Sequence, residues 1–115
     1  MGDKSIAVTA TTVRVPVYSG HSESVNIETK EKMSSEEVKK LLANAPGIKV
    51  LDDSKESEYP IAVQAAGKDE VFVGRIREDN SIAKGINLWI VSDNIRKGAA
   101  LNAVQIAEYM IESDQ

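Results

Sequence analysis

Cysteine is absent from all 115 residues, so this chain supplies no disulfide, no thiolate metal ligand and no thiol nucleophile of its own. Histidine occurs once, at His21. One imidazole cannot build a zinc site, and no nearby carboxylate spacing suggests a facial triad, so no bound metal is expected. No run approaches the ~20 apolar residues that cross a bilayer. The stretch after Met1 does not suit a signal peptide, Ile6 stands where a myristoylation signal needs Ser or Thr, and no Asn begins a glycosylation triplet. A cytoplasmic protein is the simplest reading. Positive charge is in deficit, with 14 basic against 18 acidic side chains and a net charge of −4. Nucleic acid and anionic membranes are therefore poor partners. Gly20, Gly67, Gly74, Gly85 and Gly98 are isolated from one another, so the glycine-rich turn that holds a dinucleotide is missing. No serine sits in a nucleophile elbow, and a hydrolase reading has no support.

The remaining composition, 42% hydrophobic and 28% charged, is that of one globular domain. Ile6 to Val17 reads as a strand with Val13, Val15 and Val17 on one side and Thr12 and Arg14 on the other, ending near an edge because Pro16 cannot donate to a ladder. Ser24 to Thr29 alternates as a second strand expected to pair with the first. Ser34 and Glu37 form a capping box, followed by the stripe Val38, Leu41, Leu42, Ala45 of a helix lying on a core. Pro46-Gly47 ends it, Ile48 to Leu51 suits a short strand, Asp52 to Glu58 reads as a mobile loop, and Tyr59 to Ala65 as an extended edge segment.

Glu70 to Arg77 alternates, with Phe72 and Ile76 on one face and Val71, Val73 and Arg75 on the other. After the turn residues Asp79-Asn80-Ser81, Ile86 to Val91 reads as a central strand, which makes a hairpin. Ser92-Asp93-Asn94 offers N-cap candidates for the longest helix, Ile95 to Ile111. Its apolar residues cover about half the circumference, a face suited either to this chain's own sheet or to a broader partner surface. The order of elements predicts one α+β unit, a mostly antiparallel sheet with helices packed on one face.

His21 is the only side chain whose ordinary pKa lies near neutrality, as a general acid or base requires, although a lone loop histidine is more often a surface or capping residue. Arg14 lies on the polar side of the strand leading to that loop, so both residues can converge on one cleft. A guanidinium is the preferred fork for a carboxylate. A surface ion pair with Glu23 or Glu28 is the plainer alternative.

Three blocks carry a resemblance: Val13-Arg14-Val15-Pro16-Val17 through Gly20-His21-Ser22-Glu23; Gly67 to Asp79; and Asn87-Leu88-Trp89-Ile90-Val91-Ser92-Asp93-Asn94 through Glu108. Together they resemble the aspartate-semialdehyde dehydrogenase family, in its bacterial branch, from about Ser5 to Glu108. The resemblance implies a partial glyceraldehyde-3-phosphate-dehydrogenase-like C-terminal domain. Residues 1–115 would be the C-terminal part of the catalytic and dimerisation domain, with 93–112 the terminal helix that packs on an NADP-binding domain.

The family reaction is reductive dephosphorylation of 4-aspartyl phosphate to aspartate semialdehyde with NADPH. The resemblance implies that His21 is the catalytic acid/base, that Arg14 binds the substrate carboxylate and that Asn94 contacts NADP. The family's catalytic cysteine and cofactor domain would lie upstream. The chain alone is therefore expected to be inactive, to form a homodimer or associate with the upstream half, and to expose an apolar helix face. The alternative is a non-catalytic dimerisation or binding module.

Overall fold

The computed structural model describes Gly2, Asp3, Ser5 and residues 9–113. Strands β1 (His21–Glu28), β2 (Ile48–Val50), β3 (Val71–Asp79) and β4 (Gly85–Ser92) form one sheet in the order β1-β4-β3-β2. β4 runs antiparallel to both neighbours and β2 parallel to β3, so the sheet is mostly antiparallel. The apolar run of β4 takes the central place its sequence demands. Helix α1 (Ser35–Ala43) starts at the capping box, where Ser34 Oγ accepts from Glu37 N–H and the Glu37 carboxylate accepts from Ser34 N–H at 2.8 Å. Helix α2 (Ala62–Ala65) and helix α3 (Leu101–Ser113) complete the fold, α3 being preceded by a π-helical turn at Arg96–Ala100.

The core has two layers, one on each face of the sheet. On one, Val38 of α1 packs with Val73, Ile76, Ile86 and Leu88; on the other, Ala65 of α2 packs with Phe72 and Val91. Leu42 joins the first layer, but Leu41 is 62% exposed. The buried stripe of α1 is thus narrower than its apolar pattern, because the helix lies chiefly over β2 and β3. Tyr59 to Ala65 is not one extended segment. Pro60 is fully buried and Ala62 to Ala65 close a helical turn that lays Ala65 on the sheet, as the helix propensity of alanine permits once the proline is behind it.

Phe72 and Ile76 lie in opposite layers, contrary to their spacing. β3 pairs Gly74 with Trp89 and Arg77 with Asn87, so three steps on β3 oppose two on β4. This is a β-bulge with Arg75 at φ 54. It reverses the alternation beyond Gly74 and turns Ile76 toward α1. Asp52 grips the bulge: its carboxylate accepts from the N–H groups of Arg75 (2.8 Å) and Ile76 (3.1 Å) and faces Lys39 Nζ of α1 at 3.1 Å. The segment Asp52 to Glu58 is therefore anchored at its start, and an antiparallel bridge between Asp53 and Glu58 closes it. Gly74 is required by close approach, since a Cβ there would stand 2.1 Å from the Leu51 carbonyl oxygen.

The expected first strand is not formed. Residues 9–17 have no sheet pairing, and Val13 is 82% exposed; Ile6 to Val8 lie outside the described residues. Its intended partner, β1, pairs with β4 instead. The outer edge of β1 stays free of a described partner; Pro16 cannot donate to a ladder there, and the segment leaves its polar backbone to solvent. α3 is equally unsupported, for none of its residues is buried and Val104, Ile106, Tyr109, Met110 and Ile111 are exposed. The apolar face does not pack on this chain's own sheet.

Candidate functional site

Three segments meet at the end of the sheet where β1 begins and β4 ends. His21 opens β1, pairs with Ser92, and is exposed. The chain reaches it through Gly20 at φ +96, a conformation costly for any side chain. A Cβ on Gly20 would also stand 3.3 Å from the Ser92 carbonyl oxygen and 3.4 Å from Ala62 Cβ. The Gly20 N–H donates to Asn94 Oδ1 at 3.0 Å.

Asp93, next to Asn94, is the buried hub of this end. Its Oδ2 accepts from Gly67 N–H at 2.8 Å, and its Oδ1 accepts from Ile95 N–H at 2.9 Å and Arg96 N–H at 3.2 Å. One carboxylate therefore caps the C-terminal helical segment and ties it to the Gly67 turn. The Gly67 hydrogen bond, helped by the Arg96 and Ile95 amides, holds the Asp93 carboxyl below the usual range against the opposing effect of burial. Arg96 in turn pairs with Asp69.

The structure thus joins two of the three residues singled out in the sequence. His21 and Asn94 are connected through Gly20. Arg14 lies exposed in the irregular segment upstream, and it forms no ion pair with Glu23, Glu28 or another described residue. Sequence reasoning gave the N-cap three candidates without foreseeing that Asp93 takes the capping role and Asn94 the Gly20 contact. It also missed a cleft of about 440 Å³ on the sheet face away from α1, lined by Ser22, Ser24, Tyr59, Arg75, Arg77 and Trp89 among others. Trp89 Nε1–H donates to the Pro60 carbonyl at 3.0 Å, and the Arg75 guanidinium carbon lies 6.0 Å from the Tyr59 ring centre. None of His21, Arg14 and Asn94 lines this cleft. The lone tryptophan was a visible signal for it, but the bulge that turns Arg77 to the face of Trp89 was not.

Residues 1–97 match the family model described as semialdehyde dehydrogenase, dimerisation domain. The chain is 54% identical over 112 residues to the aspartate-semialdehyde dehydrogenase of Aquifex aeolicus, covering 97% of this chain and 33% of that protein. It is 56% identical over 111 residues to the Legionella pneumophila protein of the same name, covering 96% of this chain and 32% of that one. The crystal structure of aspartate semialdehyde dehydrogenase II from Vibrio cholerae, complexed with ASA, superposes with a TM-score of 0.79 at 48% identity, over 86% of this chain and 29% of that one. This chain spans about a third of the length of the curated relatives it matches. No helix among the described residues is long and apolar enough to cross a membrane. With a matching family model over most of its length and a mixed four-stranded sheet shared with these enzymes, the chain belongs to the aspartate-semialdehyde dehydrogenase family and carries part of its dimerisation domain.

Proposed function

We propose that this chain furnishes the acid/base and substrate-carboxylate groups of a cytoplasmic aspartate-semialdehyde dehydrogenase. That enzyme makes L-aspartate 4-semialdehyde by NADPH-dependent reductive dephosphorylation of 4-aspartyl phosphate. The observation that supports the reading most is the 54% identity maintained over 97% of the chain, in a fold that presents His21 from a tethered backbone. An exposed imidazole can give or take a proton at the reacting centre. Arg14 offers two parallel N–H donors to the α-carboxylate of the same small substrate.

The chain has no cysteine, so the thiol that would attack the acyl phosphate must come from residues outside it. We therefore expect no turnover from this chain alone. NADPH, when bound, supplies the hydride. On this chain Asn94 is the group to meet it: its Oδ1 holds Gly20, while its two amide N–H donors suit a polar cofactor group. The N–H groups of Ile95 and Arg96 are already taken by Asp93, whose negative charge disfavours a phosphate at this helix start. Residues 93–112 would pack on the cofactor-binding domain, which accounts for the exposed apolar side of α3. Assembly as a homodimer, or with a separately supplied upstream half, completes the reading.

The test is complementation. The chain is mixed with a separately expressed upstream half carrying the cofactor domain and cysteine, and NADPH oxidation is followed with 4-aspartyl phosphate. Activity should appear only on mixing, and His21→Ala should lower it about 10²- to 10⁴-fold. Arg14→Ala should chiefly raise KM for the substrate. No activity from two folded halves would instead favour a non-catalytic dimerisation module, the alternative that the dimerisation-domain match also fits.

A further inference from the structure

We infer that Asn94 is a positioning residue for His21: its side-chain oxygen fixes the left-handed Gly20 turn from which the histidine-bearing strand begins. The inference rests on the reading of His21 as the acid/base, and assigns Asn94 a second task distinct from any cofactor contact.

β1 is an edge strand, paired only with β4, and His21 is its first residue. Edge-strand ends fray unless something holds them. Among the described residues nothing upstream does so, since residues 9–17 have no sheet pairing. The Gly20 N–H to Asn94 Oδ1 hydrogen bond, 3.0 Å and partly buried, is the tether beside the histidine. Asn94 is itself held in place by its neighbour Asp93, which is buried and accepts three backbone N–H groups. The anchor is thus rigid before any ligand arrives, as a group that must present a proton within a few tenths of an ångström requires.

Different atoms of Asn94 serve the two tasks. The oxygen accepts from Gly20; only the amide N–H groups remain to donate to a cofactor. Asn94→Asp keeps an acceptor and removes the donors, whereas Asn94→Ala removes both, so the pair separates positioning from cofactor binding.

The experiment uses isotope-labelled full chain and NMR, where His21 and Trp89 are the sole histidine and tryptophan and give unambiguous ring signals. Wild type should show a through-hydrogen-bond coupling between Gly20 nitrogen and the Asn94 side-chain carbonyl carbon. Asn94→Ala should speed Gly20 amide exchange about tenfold and shift the His21 ring signals toward free histidine. The Trp89 indole N–H, bonded to Pro60, should stay in place, and Asn94→Asp should retain the Gly20 protection. Absence of the coupling in wild type, or wild-type Gly20 and His21 signals in Asn94→Ala, overturns the inference. If Asn94→Ala unfolds, the wild-type coupling and Asn94→Asp still decide. In the complemented enzyme, positioning predicts a lower kcat at saturating NADPH for Asn94→Ala only, while a cofactor contact alone predicts a raised KM for NADPH in both variants. An intact Gly20 tether alongside full activity of His21→Ala would refute the acid/base role and leave the tether standing.

Discussion

Replacing Asp52 by alanine removes a carboxylate that joins α1, β2 and the bulge of β3. Two backbone N–H groups lose their acceptor, Arg75 at 2.8 Å and Ile76 at 3.1 Å, and Lys39 loses the partner that, through their hydrogen bond, raises its pKa most. The losses are unequal. The Arg75 bond is exposed, so water replaces it at little cost. The Ile76 bond is partly buried, and an amide stranded there costs about 1–3 kcal/mol. The Lys39 pair, with Asp52 10% and Lys39 29% exposed, adds at most about 1 kcal/mol. Asp52→Ala should therefore destabilise the chain by about 1–4 kcal/mol, lowering Tm by about 4 °C or more. Asp52→Asn, which keeps one acceptor, should fall between. Urea unfolding followed by Trp89 fluorescence measures the difference, because the indole sits in the adjoining cleft. A loss under about 0.5 kcal/mol, within the range of ordinary surface substitutions, would show that the sheet ladder alone holds the bulge.

Three further outcomes follow from named contacts. The Asp93 carboxyl is held below its ordinary pKa, so its contribution is present above the unfolded value of about 3.9 and is lost as pH falls through the lower folded value. Asp93→Asn should flatten the acid limb of a stability-against-pH curve, and an unchanged limb would count against the assignment. Gly20→Ala should cost about 1–2 kcal/mol through its positive φ and displace the His21 ring signals; a shift confined to Gly20 would contradict the coupling of the two residues. The exposed apolar side of α3 should make the chain self-associate with rising concentration. Sedimentation velocity should show that Ile106→Lys with Met110→Lys reduces association, and the same profile for both proteins would place the contact elsewhere.

Where local chemistry decided the structure, the sequence was enough to read it. The Ser34 and Glu37 capping box, the apolar run that became β4, the Asp79 turn and the acidic cap before Arg96 each carry their cause within a few residues. His21 was legible as the only imidazole. What stayed hidden depended on distant backbone. An arginine at positive φ has no sequence signature, so the parity switch that separates Phe72 from Ile76 was invisible. The valines before Pro16 spell a strand, but whether a ladder is open to receive them is a property of the whole sheet. The Gly20 to Asn94 contact spans 74 residues of sequence, and no local pattern announces a side chain that serves the far end of another strand.

Arg75 has one more consequence, which appears on imagining it deleted. Gly74 would still face Trp89, Ile76 would fall opposite Leu88, and Arg77 would still meet Asn87. Every side chain beyond the deletion would keep its present layer, so the hairpin would zip as a regular ladder. The surplus residue is dispensable for register. What a shortened strand would forfeit is the pair of adjacent N–H groups that Asp52 holds and the guanidinium set beside Tyr59. A straight strand would be the easier one to fold, and the chain carries in its place a bend whose benefits lie at the α1 junction and in the cleft.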